Sequence, residues 1–393
     1  MKAPAKSVVV AAGLAAGAVA ARAGGRALVA RTERRLNPVA ATPPYAVSER
    51  ARAVHGAATV VDLHADPLLW GRDLLVRGTR GHVDVPRLVE GNVAVQVFGV
   101  ATKSPRHLNI DRNDDRSDDV TLLAMGRGWP PSTWRSLTAR ALHLASALSA
   151  AASSSYGQLS LVKSVAGLDA LLAARATNPR LVGGLLAIEG AHALGPDLEG
   201  LDAIEAAGFR MVGLAHFFDN TVAGSAHGVE KGGLTALGRE LVAELEGRRM
   251  IVDLAHSSAR TIDDVLALAQ RPVVASHTGV RGVCDNARNL PDDHLRGIAA
   301  TGGLVGIGFW PTACGGDDAA AIARSIAYAA GVAGVDHVGI GSDFDGGVGV
   351  PFDASGMALL TEALLDEGLD EASIAKVMGG NAIRVLRAGL PQT

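Results

Sequence analysis

Eight short apolar runs punctuate the chain from about residue 58, and amphipathic stretches separate them. The runs fall at 59–64 (TVVDLH), 93–100 (VAVQVFGV), 184–189 (GLLAIE), 210–215 (RMVGLA), 250–255 (MIVDLA), 272–276 (PVVAS), 303–308 (GLVGIG) and 336–341 (DHVGIG). Near-continuous Val, Ile and Leu is how a strand reads when both faces of its sheet are covered, so these runs predict a parallel sheet. Between two of them, Leu234, Leu237, Leu241 and Leu245 recur at three- and four-residue steps. That spacing predicts a helix over 234–247 with one buried stripe. Arg248 and Arg249 follow at the end where cations suit the helix dipole. Similar patterns predict helices at 259–269, 292–300, 318–331, 357–366 and 371–387. Eight strand–helix units in this span predict a TIM-type (β/α)8 barrel, with a doubly wound open sheet as the rival.

Residues 101–183 are too long for a simple crossover and read as an insertion after strand two. The run from Asp111 to Asp119 mixes both charges and predicts a solvated loop, Trp129 and Trp134 flank Pro130-Pro131, and 135–152 is Ala- and Leu-rich and helical. Such an insertion either shapes a substrate wall or is a structural excursion.

The N-terminus reads differently. Lys2 and Lys6 precede an apolar run from Val8 to Ala21, and small residues follow, which is the layout of a secretory signal peptide. The run falls short of the ~20 residues of a full span. Arg22, Arg26, Arg31, Arg34 and Arg35 come after it, and positive charge there resists export. The reading favours an exported or membrane-anchored protein, associated through residues 7–24, over a cytoplasmic one. Pro38, Pro43 and Pro44 mark 36–49 as a linker. The expected division is a leader or anchor with linker over 1–45 and one catalytic barrel over 46–393.

Composition narrows the chemistry. Of 393 residues, 48% are hydrophobic and 20% charged, enough for a substantial core, and a net charge of −3 makes no bulk electrostatic case for nucleic acid. Cys284 and Cys314 are the only cysteines, which excludes a Cys-rich zinc module and leaves one bridge open.

The apolar runs share a feature: they finish on potential metal ligands. His64 and Asp66 end the first, Glu189 the third, His216 the fourth, His256 the fifth, His277 the sixth, and Asp343 with Asp345 the eighth. Barrel enzymes carry their chemistry at strand C-terminal ends. Taken singly, His256 reads as a hydrogen-bonded core residue, Glu189 as a helix cap, and Asp343-Phe344-Asp345-Gly346 as a fragment of a calcium loop whose remainder is missing. Six of eight strands ending this way by accident is a poor account. Three His and two carboxylates suffice for a pair of borderline cations that share a bridging carboxylate, an arrangement suited to metal-assisted hydrolysis. Asp62 and Asp253 stand near His64 and His256 as either supports or structural residues. Nothing assigns His82, His107, His143, His192 or His227, and Asn381 reads as a tether for the last helix.

These motifs resemble the membrane dipeptidase (renal dipeptidase) family from about residue 55 onward. The resemblance rests on VDLHADPLLW ending at Trp70, AIEGAHAL (187–194), GLAHFFDN (213–220), VDLAHSS (252–258), VVASHTGV (273–280), ARNLPDD (287–293), GIGSDFDGG (339–347) and GGNAIRVL (379–386). It implies a metallo-dependent-hydrolase barrel with two zinc ions per chain and a hydroxide between them. His64 and Asp66 would bind one ion, His256 and His277 the other, and Glu189 would bridge. His216 would contact the scissile carbonyl and its developing oxyanion, Arg288 the substrate's terminal carboxylate, and Asp343 would shuttle the proton to the leaving amine. It also implies a dipeptide substrate with a free C-terminal carboxylate, and a homodimer. The alternative with the same chemistry is an amidohydrolase acting on N-acyl amino acids, β-lactams or lactones; a silent metal-binding protein is the non-enzymatic rival.

Overall fold

The structure is a computed structural model and describes residues 23–393; the leader or anchor expected over residues 7–24 lies almost wholly outside them. Among the described residues nine strands form: β1 (Val60–Ala65), β2 (Val93–Ala101), β3 (Leu159–Leu161), β4 (Val182–Glu189), β5 (Phe209–Gly213), β6 (Ile251–Asp253), β7 (Val274–Thr278), β8 (Leu304–Ile307) and β9 (Val338–Ile340). Every pairing between them is parallel. The sheet runs β2-β1-β9-β8-β7-β6-β5-β4, and β2 pairs with β4 to close it. All eight predicted runs are in this ring. The ninth strand, β3, lies in the insertion and pairs only with the start of β4, from Leu159↔Val182 to Leu161↔Gly184.

The side-chain alternation sorts two cores. Val61 and Leu63 of β1, Val95 and Val97 of β2, and Leu185 and Ala187 of β4 share one cluster with Met211, Ile251, Val274 and Leu304. Their neighbours Val60, Phe98, Val100, Leu186 and Ile188 join a second cluster with the surrounding helices. The first cluster is the barrel interior, and it includes Ala382, Val385 and Leu386 of the last helix and Leu390 just beyond it. That helix therefore closes the end where the strands begin. Asn381 tethers it by donating to the carbonyls of Val335 (2.7 Å) and Val338 (2.8 Å).

Three expectations need correction. The helix expected over 371–387 is broken into Glu371–Ala375, a π-helical turn Lys376–Gly380, and Asn381–Gly389. The cause is Gly379, where a Cβ would collide with the carbonyl of Thr59 at the start of β1. Runs four and five end as strands at Gly213 and Asp253, so His216 and His256 stand in the loops beyond them. The mixed-charge run is not wholly solvated: Asn113 is buried, and Asp118 caps the helix Asp119–Arg127 while pairing with buried Arg140 at 2.8 Å. The two cysteines are unbridged.

Residues 33–41, within or beside the expected linker, lie against the barrel. Buried Glu33 pairs with Arg72 (2.6 Å) and Arg80, and Ala40 and Ala41 donate to the carbonyls of Val350 and Pro351.

Candidate metal centre

Glu189 is the hub. It closes β4 on the same alternation as inward-facing Leu185 and Ala187, so its carboxylate enters the barrel mouth. Around its Oε1 lie His64 Nε2 at 3.6 Å, His256 Nε2 at 3.2 Å and His277 Nε2 at 3.4 Å; His216 Nε2 is 3.5 Å from Oε2. His64 Nε2 is also 3.2 Å from Asp66 Oδ2. Three groups of potential donors result: His64, Glu189 and His277; Glu189, His216 and His256; and His64, Asp66 and Asp343. All of these side chains are buried. The structure thus brings every expected ligand to one rim.

Local backbone features aim them. The β1–β2 register shifts between Asp62 and Ala65, the region of His64, and such irregularities re-aim side chains beside active sites. His256 and Asp343 both hold positive φ, 63° and 60°. Non-glycine residues adopt that region only when their surroundings enforce it. At Gly99 on β2, a Cβ would lie 2.6 Å from Asp66 Oδ1 and 2.7 Å from His64 Nε2. The missing side chain makes the room in which these two donors meet.

Asp62 and Asp253 act as matched clamps between adjacent strands. Asp62 accepts from the amide (2.8 Å) and hydroxyl (2.7 Å) of Ser342, and Asp253 from the amide (2.9 Å) and hydroxyl (2.6 Å) of Ser276. The second clamp continues into the centre. With its hydroxyl proton given to Asp253, Ser276 Oγ accepts the Nδ1–H of His277 at 2.9 Å. That leaves His277 Nε2 as a bare lone pair facing Glu189, the tautomer a cation requires. Ser276→Ala should weaken metal binding about 10–100-fold without unfolding the chain, as lost supports of ligating imidazoles do. Competitive chelator titration of the two proteins measures it.

The electrostatics are unbalanced without a cation. Burial, then the charge of Asp66, raises Glu189 well above the ordinary carboxylate range. Burial opposes a charged His64, yet Asp66 and Glu189 outweigh it and hold the ring near 10. His256 and His277 are pushed well below the usual imidazole value, by burial first. His256 Nε2 and His277 Nε2 are only 3.0 Å apart. His64 Nδ1, His256 Nδ1 and Asp66 Oδ1 are buried with no hydrogen-bond partner among the described residues. Imidazole nitrogens and carboxylates converging like this suit a borderline divalent ion such as zinc.

The remaining expected residues ring this cluster. Burial lowers His216 to about 4; its Nδ1 lies 3.2 Å from the carbonyl of Lys103 and donates there, so Nε2 of the neutral ring is an acceptor. Arg288 is buried, lies over Trp310 with Cζ 5.7 Å from the ring centroid, and donates to the carbonyl of His277. Burial lowers it to about 10, and it forms no ion pair among the described residues. Asp343 is raised to about 7, chiefly by burial. Asp345 is a loop former: its carboxylate accepts from the amides of His82 (2.8 Å) and Val83 (3.0 Å) and from Arg72.

Sequence reasoning missed Ser276, Trp310 and His227. Buried His227 donates Nδ1–H to the carbonyl of Ile110 at 2.7 Å, and its carbonyl accepts from the amide of Asn113 at 2.7 Å. Its ring is 5.2 Å from that of His256. The insertion therefore reaches the metal centre through His227.

Comparisons with known proteins place the chain among dipeptidases. Dipeptidase aclJ of Aspergillus oryzae is 37% identical over 219 residues, covering 53% of this chain and 52% of the relative. Dipeptidase 3 of mouse is 31% identical over 246 residues, covering 60% of this chain and 48% of the relative. The chain thus matches about half the length of these curated relatives. A metallopeptidase from Rhodobacter sphaeroides, crystallised with a phosphinate mimic of the dipeptide L-Ala-D-Ala, superposes with a TM-score of 0.68 at 25% identity, covering 84% of this chain and 99% of that one. The family model described as membrane dipeptidase, peptidase family M19, matches residues 48–389. On that match and this ring of strands, the chain belongs to the membrane dipeptidase family, peptidase family M19.

Proposed function

We propose that the protein is a binuclear metal-dependent dipeptidase that requires a free C-terminal carboxylate on its substrate. Two zinc ions are the cofactors this donor set suits best. His64 and Asp66 would hold one, His256 and His277 the other, with Glu189 shared between them. Such a pair, when bound, lowers the pKa of water and polarises a carbonyl oxygen.

The chain's own residues supply the rest. Arg288 presents a planar fork of donors, the geometry that matches a carboxylate. His216 lies beside Glu189 and would contact the scissile carbonyl; it can donate to a developing oxyanion only with a proton on Nε2, since Nδ1 is engaged by Lys103. Asp343 is placed to accept the proton released during attack and return it to the leaving amine. A pocket that must seat both the carboxylate and the reacting carbonyl favours two-residue substrates. The observation that carries the reading is Arg288: a buried guanidinium without an acid partner among the described residues, beside a carboxylate encircled by four imidazoles.

The test is metal content per chain together with hydrolysis of a panel of free dipeptides, their C-terminal amides, and N-acyl amino acids. Two metal ions and cleavage of the free dipeptides alone are expected. Preference for N-acyl amino acids, or equal rates on the amides, would overturn the substrate assignment. Stripping the metal with a chelator should abolish turnover and lower the melting temperature, since an ion that binds only the folded chain stabilises it; zinc should restore both.

Export or anchoring through residues 7–24 fits their sequence, and a homodimer is the family's implication; fractionation of cells and light scattering on the purified chain test them. Among the described residues, no helix is long and apolar enough to cross a membrane.

A further inference from the structure

Residues 23–36 form a helix that lies on the outside of the molecule. Val29 and Glu33, one turn apart, are buried beneath it, and Glu33 is spent on Arg72 and Arg80. The outward face is different. At 100° per residue, Ala27, Leu28, Arg31, Arg34 and Arg35 fall within an arc of about 120°. All five are exposed, as is Arg26. Leu28 is 65% exposed. None of these four arginines forms an ion pair among the described residues, and the sequence of residues 1–22 contains no Asp or Glu that could neutralise them.

The helix crosses Asp119–Arg127 at close range. A Cβ at Gly126 would touch Val29 at 3.3 Å, and one at Gly25 would lie 2.5 Å from the carbonyl of Gly126. Around that crossing the second helix leaves Leu122 (54%) and Met125 (47%) exposed. Basic side chains attract a protein surface to anionic lipid, and exposed apolar side chains beside them add area that can be buried at the interface. The segment immediately before it in the chain carries the apolar run from Val8 to Ala21. An apolar run feeding directly into an unneutralised arginine face selects one occupant among those that positive charge could attract.

We propose that the outward face of helix 23–36, with Leu122 and Met125 beside it, is a docking surface for an anionic lipid bilayer. Arg31, Arg34 and Arg35 contact headgroups, Arg26, exposed in the first turn but off that arc, adds its charge nearby, and Leu28 enters the boundary of the acyl region. The inference is independent of the dipeptidase reading, because none of these residues belongs to the metal centre.

The experiment is flotation of the full chain with vesicles of phosphatidylcholine, with and without phosphatidylglycerol. The wild type should bind the anionic vesicles at least about tenfold more tightly, because each basic residue near such a surface contributes about 1 kcal/mol. Added salt should weaken that binding. Changing Arg26, Arg31, Arg34 and Arg35 together to Gln should remove the preference, and changing all four to Lys should keep it. Dipeptide hydrolysis should be the same in all three proteins. Equal binding to both vesicle types, salt-insensitive binding, or full binding by the Gln variant would overturn the proposal, since the apolar run alone would then account for it. Should the Gln variant misfold, the Lys variant and the salt titration decide.

Discussion

Replacing Asp343 by Asn should leave the bound metal unchanged and lower kcat by about 10²–10⁴, the usual worth of a positioned proton carrier. Asn is the informative choice because the site constrains shape. Asp343 has φ of 60°, a region that Asn tolerates at least as well as Asp. Its amide donates to the carbonyl of His64 at 3.1 Å, a bond any residue keeps. Gly346 has no Cβ where one would collide with the Asp343 carboxylate, and an amide of equal size fits the same gap. What Asn cannot do is hold a proton and pass it on. The variant also decides between two roles, since a carboxylate oxygen of Asp343 lies within 4.8 Å of the potential ligand atoms of His64 and Asp66. Metal analysis and steady-state kinetics on one preparation separate them. A proton carrier gives full metal with little turnover; a ligand gives a loss of metal that matches the loss of activity.

The barrel was legible because parallel strands buried on both faces are written as unbroken apolar runs. The ligands were legible because a charge ending such a run is costly unless something compensates it. The misses have particular causes. His256 lies three residues past Asp253, and the apolar Leu254-Ala255 between them looks like more strand; the strand in fact stops at Asp253, and His256 sits in left-handed backbone beyond it. Ser276 is one small polar residue inside β7, and its value comes from Asp253 on the neighbouring strand, a pairing that exists only after the ring closes. His227 gives no local signal: its partner Ile110 is 117 positions away in the insertion. The break in the final helix did have a signal, the Gly379-Gly380 pair, which favours a turn over a continuous helix.

Arg288→Ala should cost about 2–5 kcal/mol in transition-state binding, roughly 30- to 5,000-fold in kcat/KM, for dipeptides with a free carboxylate. The loss should fall mostly on KM, because a carboxylate remote from the reacting bond is held alike before and during reaction. The corresponding C-terminal amides should be nearly unaffected, so the preference between the two substrate classes collapses. The fold should tolerate the change. Burial already disfavours the charged guanidinium, no acid among the described residues is left behind unpaired, and the hydrogen bond lost is the one to the carbonyl of His277. Arg288→Lys provides the control. It keeps the positive charge and loses the fork, so it should recover only part of the affinity. It also leaves the face of Trp310 without the flat cation that now lies over it. A clamp that works through geometry separates Lys from Arg; one that works through net charge alone makes them equal. If Arg288→Ala instead slowed free dipeptides and amides by the same factor, Arg288 would serve the architecture of the rim rather than the recognition of a carboxylate.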